Sequence, residues 1–164
     1  MPCSRLLIDT NVWLDSFFPY RKEHKASFDL LNTARERHMD LLYAVGTIKD
    51  VSFLANTGFK ESVRKQGGEV DETCAAVARQ FAWSCVQNMR RMATAVAADE
   101  SDIWFAEKYH AVHPDFEDDL VLAAARRCNP DYLVTRDAKL LQHAIVPAIS
   151  PADLLVLLRE LEGI

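Results

Sequence analysis

Short apolar runs that end in polar residues alternate with amphipathic stretches along the whole chain. Arg5-Leu6-Leu7-Ile8 is such a run, closed by Asp9, and predicts a buried parallel strand. A short helix is predicted over residues 11–18, stopped by Pro19. A longer one over about 23–37 carries Phe28, Leu30, Leu31 and Ala34 as candidate core residues. Leu41-Leu42-Tyr43-Ala44 predicts a second strand. Thr47 is placed to cap a third helix bearing Val51, Phe53 and Leu54, which runs out near Asn56-Thr57-Gly58.

Gln66-Gly67-Gly68 is the clearest loop in the middle of the sequence, and an Ala-rich helix follows over about 71–92. Thr94-Ala95-Val96-Ala97 predicts a third strand, and a helix containing Trp104 and Phe105 comes next. His113-Pro114-Asp115 starts another helix reaching Arg127; Tyr132-Leu133-Val134-Thr135 is a fourth strand. A short helix over 137–143, a fifth strand at Ile145-Val146 and a last helix opened by Ser150-Pro151 complete the pattern. Strands alternating with helices from end to end imply an α/β fold: a three-layer α/β/α sandwich around a central parallel sheet. No internal repeat or long linker divides the chain.

Composition narrows the class. Apolar residues make up 49% and charged residues 26% of the 164 residues, which is globular composition. Lys plus Arg number 19 against 24 Asp plus Glu, a net charge of −5 that excludes a protein holding nucleic acid chiefly by a basic surface. An enzyme whose acidic pocket is neutralised by metal ions is compatible with that balance. No apolar run approaches the roughly 20 residues of a membrane span, and the first residues lack a signal peptide's apolar region. Cys3, Cys74, Cys85 and Cys128 form no Cys-x-x-Cys pair and have no His at zinc-ligand spacing. A reduced, cytoplasmic protein without membrane association is expected.

The chemistry lies in the carboxylates. In an open parallel sheet, ligands bind beyond the carboxyl ends of the strands, where strand order reverses. Asp9 follows the first strand and Asp137 the fourth. Asp118 heads the series Asp118, Val121, Leu122, Ala125, one apolar stripe of a helix, which aims its carboxylate at the strand ends. Asp50 is placed likewise with Phe53 and Leu54. Converging carboxylates repel one another unless they hold cations or protons. Hard oxygen donors of this kind suit Mg²⁺ or Mn²⁺, which activate water for displacement at phosphorus. Each acid also has a plainer role. Asp9 and Asp137 are good helix caps, Asp115 to Asp119 suit a helix's first turn, and Asp50 can pair with Lys49.

Leu6-Leu7-Ile8-Asp9-Thr10-Asn11-Val12 resembles the opening strand and first acid of PIN domains, the metal-dependent ribonuclease fold of VapC-type toxins. Asp115-Phe116-Glu117-Asp118-Asp119-Leu120 resembles the family's third-acid segment, and Asp131-Tyr132-Leu133-Val134-Thr135-Arg136-Asp137 its fourth strand and last acid. Ile149-Ser150-Pro151-Ala152-Asp153-Leu154-Leu155 is similar to its closing strand and helix. The blocks stand in family order. The resemblance implies one PIN-like domain over 1–164 with a helical insertion at about 66–93. It also implies ribonuclease activity with Mg²⁺ or Mn²⁺ held by Asp9, Asp50, Asp118 and Asp137, and, for toxin members, homodimers masked by a small antitoxin. Asp50 stands where most members carry Glu, one methylene longer.

Supporting roles follow from position. Asn11 and Thr135 are candidates to orient a carboxylate or a metal-bound water, and Asp115 to bind a water-bridged ion. Arg136, with Arg126 and Arg127, is a candidate contact for RNA phosphates. Trp13, Trp83 and Trp104 stand among apolar neighbours and read first as core or interface residues, second as base-stacking platforms. Three other functions compete. A phosphohydrolase of the haloacid-dehalogenase type would use Asp9 as nucleophile but wants a second Asp where Asn11 stands. A phosphoacceptor domain would want a Lys after the last strand. A degenerate PIN fold would bind RNA or protein without catalysis.

Overall fold

The computed structural model describes residues 4–110 and 115–161. Five parallel strands, β1 (Arg5–Ile8), β2 (Asp40–Ala44), β3 (Thr94–Val96), β4 (Tyr132–Val134) and β5 (Ala148–Ile149), form one sheet in the order β3-β2-β1-β4-β5. Chain direction across the sheet therefore reverses between β1 and β4, as a doubly wound sheet requires at its ligand-binding edge. The α/β/α sandwich expected from the sequence is the fold observed.

The two-residue period of the strands sorts the core into two layers. Leu6, Ile8, Leu41, Tyr43 and Val134 face one cluster, completed by α1 (Thr10–Phe17), α2 (His24–Glu36), α3 (Thr47–Lys65), α4 (Glu72–Met92) and α8 (Pro151–Glu160). Leu7, Ala44, Val96 and Leu133 face the other, covered by Val121, Leu122 and Ala125 of α6 (Phe116–Cys128) and Leu140 of α7 (Ala138–His143). Alongside α6 packs α5 (Glu100–Tyr109). Trp13 is fully buried in the first layer, whereas Trp83 and Trp104 are more than half exposed and belong to neither core.

Several sequence expectations need correction. The third helix does not stop at Gly58 but runs to Lys65. A Cβ on Gly58 would come 3.1 Å from the Phe18 ring, so this glycine admits a buried neighbour rather than breaking the helix. The true stop comes at Gly67, whose φ of 80° suits glycine; the Gly68 N–H donates to the Val63 carbonyl at 2.9 Å and the Gly67 N–H to that of Arg64. Thr47 lies inside the helix, buried, while Gly46 takes the cap position. Its buried face is Thr47, Val51 and Ala55, and Phe53 and Leu54 are exposed, as is Phe28 of α2. The fifth strand is Ala148–Ile149 instead of Ile145-Val146. Leu133 and Thr135 donate to the carbonyls of Pro147 and Ile149, and that register places the strand. Cys3 and the His113-Pro114 start expected for the sixth helix lie outside the described residues.

Candidate active site

Asp9 is where the first strand hands over to the first helix. Its N–H still donates to the Val134 carbonyl at 3.0 Å, so it is held to β4 like a strand residue. Continuing the alternation, its side chain lies on the Leu7 side of the sheet, under α6. One carboxylate oxygen, Oδ1, accepts the Thr10 N–H at 2.6 Å and caps α1. The other, Oδ2, accepts the Asn11 amide at 2.6 Å and the Thr135 hydroxyl at 2.7 Å. Every one of these donors is neutral. Burial raises the Asp9 pKa above its ordinary value, the Thr135 bond and the Thr10 and Asn11 bonds oppose the rise, and the charge of Asp137 adds to it.

Thr135, fully buried at the end of β4, is the hub of this half of the site. Its hydroxyl donates to Asp9 and accepts from Asn11 at 3.2 Å and from the Asp137 N–H at 2.9 Å. The Asn11 side chain closes the ring by accepting the Arg136 N–H at 3.1 Å. One helical turn beyond Asn11 on the same face of α1 stands Asp15, almost wholly buried. Its carboxylate is ion-paired with the guanidiniums of both Arg136 and Arg21. The turn carrying Thr135, Arg136 and Asp137 is thus gripped by α1 at two levels.

Arg136, a candidate phosphate contact, is engaged with Asp15 and does not line the groove described below. Asp137 caps α7, accepting the Lys139 and Leu140 N–H groups at 2.8 and 3.1 Å, and reaches Asp9 by its field. Asp15 was not singled out from the sequence. Its only signal is an acid spaced four residues from Asn11 on one face of α1.

On the other side, a groove of about 300 Å³ opens between α6 and the carboxyl ends of β2 and β3. Asp9, Asp50 and Asp118 all line it, brought together from three elements distant in the chain. Asp118 arrives by its helical stripe: Val121, Leu122 and Ala125 are buried as expected, and α6 starts where Asp115 accepts the Glu117 and Asp118 N–H groups at 3.1 and 3.4 Å. Asp115 is exposed and acts here as the cap. Asp50 reaches the groove from the first turn of α3, although the Phe53 and Leu54 stripe on which its orientation was expected to rest faces solvent. Lys49 lies 3.9 Å from the Asp50 carboxylate and is the groove's only cation among the described residues.

A further acid, Asp102, lines the same groove and is buried. Its Oδ2 accepts the Asp99 N–H at 2.7 Å, completing a capping box at the start of α5, and meets Arg127 at 2.5 Å. The Asp99-x-x-Asp102 spacing before an apolar helix was the sequence signal for it. Arg127 is committed to Asp99 and Asp102, and Arg126 stacks on Phe105 at 4.1 Å, so both of these phosphate candidates already have protein partners.

The donor set, carboxylates with a threonine hydroxyl nearby and no His or Cys, has the chemistry of a Mg²⁺ or Mn²⁺ site. Among the described residues no three His, Cys, Asp or Glu side chains are close enough together to enclose an ion. Mg²⁺ commonly keeps several waters and takes one or two protein carboxylates, and the residues present fit that mode of binding. Among the described residues, too, no helix is long and apolar enough to cross a membrane.

Comparison with known proteins agrees with this architecture. No curated protein matches the chain in sequence. Among solved structures, that of VapBC2 from Rickettsia felis bound to a DNA fragment from their promoter superimposes with a TM-score of 0.58. The likeness covers 88% of this chain and 97% of the other at 9% identity, a shared fold without close sequence kinship. The family model of the PIN domain matches residues 5–139, a span that includes Asp9, Asp50, Asp118 and Asp137. The chain belongs to the PIN domain family, whose members are generally nucleases.

Proposed function

We propose that this protein is an endoribonuclease that hydrolyses RNA phosphodiesters in the groove, with Mg²⁺ or Mn²⁺ held by Asp9, Asp50, Asp118 and Asp137. The observation that carries the reading is the meeting of Asp9, Asp50 and Asp118 in one cleft beyond the strand ends. A bound divalent ion would supply neutralising charge and an acidified water. The chain's own contribution is orientation. Thr135 and Asn11 fix one oxygen of Asp9, Thr10 fixes the other, and the Asp15–Arg136 pair fixes the turn that brings Asp137 alongside. With five acids and one lysine on its walls, the groove repels a phosphate chain until cations enter.

The toxin–antitoxin extension rests on family membership. In it, a homodimeric, cytoplasmic enzyme is restrained by a small antitoxin, and the segment 66–93 is an insertion within a single domain. The helices α3 and α4 leave Phe53, Leu54, Val77 and Trp83 exposed, a surface suited to such partners. A second reading, a PIN fold that binds RNA or protein without cleaving it, is favoured by the absence of a closed three-carboxylate cluster among the described residues and by Asp50, with its shorter reach.

Mn²⁺-dependent cleavage of a mixed RNA panel separates the two. Asp9→Asn and Asp118→Asn are expected to lower cleavage by more than the roughly 10–100-fold that loss of an outer-sphere partner costs. Activity surviving both substitutions would overturn the four-acid assignment. No cleavage, together with no metal binding by calorimetry, would establish the binding module.

A further inference from the structure

We infer that the apolar side chains of the groove form a subsite for a nucleobase adjoining the bond to be cut, with Phe116 as its stacking surface. This deepens the nuclease reading and rests on it for the identity of the substrate. The groove's walls carry apolar side chains as well as its five acids. Among them are Val45, Val96, Ala97, Leu120 and Val121, and Phe116 lines the groove two residues before Asp118.

Phe116 and Val45 are 50% and 45% exposed, and neither joins either hydrophobic core. A half-exposed aromatic ring on the groove wall presents a flat apolar face on which a ligand can stack. Electrostatics points to the same occupant. With Lys49 as the only cation on the groove's described walls, attraction to phosphates is weak, and affinity for a single strand must come from elsewhere. Stacking on an aromatic ring is such a source, and it tolerates any base because every base has a π-face. The volume of about 300 Å³ lies at the lower end of pockets that take small organic ligands.

The test uses neutral probes and needs no metal. The full-length protein in EDTA is titrated with adenosine, uridine and ribose while backbone amide resonances are followed by NMR. The nucleosides are expected to bind at least about tenfold more tightly than ribose, within the range stacking supplies. Their shifts should centre on Val45, Val96, Ala97 and Val121. Phe116→Ala should erase the difference between nucleoside and ribose, and Phe116→Trp should retain it. Because Phe116 is exposed, both variants are expected to melt at the wild-type temperature, and a melt checks this. Equal binding of nucleosides and ribose, or a preference that survives Phe116→Ala, would overturn the subsite and leave the groove to an apolar protein side chain. Nucleoside binding without Mn²⁺-dependent RNA cleavage would sink the nuclease reading alone; cleavage without nucleoside binding would sink the subsite alone.

Discussion

The two halves of the candidate site are built by different means. At the β1–β4 junction, Asp9 is buried, held by three neutral donors and set beside a turn that Asn11 and Asp15 clamp to α1. Across the groove, Asp50 and Asp118 sit on the first turns of two helices, and Asp50 meets only the side chain of an exposed lysine at 3.9 Å among the contacts described. The first half is organised by buried hydrogen bonds; in the second, Asp50 is set by the first turn of α3 and Asp118 by that of α6. The lesson is that a buried anion is tolerable where several dipoles converge on it, and that the cost still outstanding is what an incoming cation relieves.

The largest way to break that contrast is to cut the clamp. Asp15→Ala leaves Arg136 and Arg21 without their buried partner. Fully buried pairs cost roughly 3–5 kcal/mol when broken, but both arginines are about a third exposed, so about 2–3 kcal/mol of stability is expected to be lost. Urea unfolding measures it, and a change below about 0.5 kcal/mol would show that α1 does not grip the turn. Next in size, Thr135→Val removes the hub hydroxyl at nearly constant volume. Metal affinity by calorimetry and RNA cleavage are expected to fall together by roughly 10–100-fold, the usual cost of losing a partner behind a ligand. Unchanged metal affinity would place Asp9's orientation elsewhere.

The smallest effect is a pH dependence. Because folding raises the Asp9 pKa, the metal-free native state favours the protonated carboxyl. The stability this contributes is fully present below its ordinary value of 3.8 and is lost as pH rises through the raised native value. Wild type should therefore lose stability relative to Asp9→Asn as pH rises above 3.8 in EDTA. Saturating Mn²⁺ should reverse the trend. The hydrogen-bonding cost of the asparagine is the same at every pH, so the slope isolates the charge. A flat difference would mean that Asp9 is not desolvated.

Legibility differed between the halves as well. Asp9, Asn11, Thr135 and Asp137 were readable because each occupies a strand end or the first residues after it, positions that topology alone sends to the reversal point. Asp118 was readable because its stripe is the one that packs on the sheet. Asp50 was chosen on a stripe that turned out to face water, so its place in the groove owes nothing to that argument. A sequence cannot display that Arg136, a candidate phosphate contact, is paired with Asp15 more than a hundred residues away. Gly58 read as a helix end because local propensity does not include the Phe18 ring that needs the space.

The sequence by itself determined the alternation of strands and helices, the parallel sheet and the acids at its edge. Those follow from hydrophobic period, capping and chain connectivity, which act locally or through topology. Only the tertiary structure decided which acids share the groove, which arginines are already paired and which aromatic rings remain in solvent. Those depend on contacts between segments remote in the chain, whose energies no local pattern encodes.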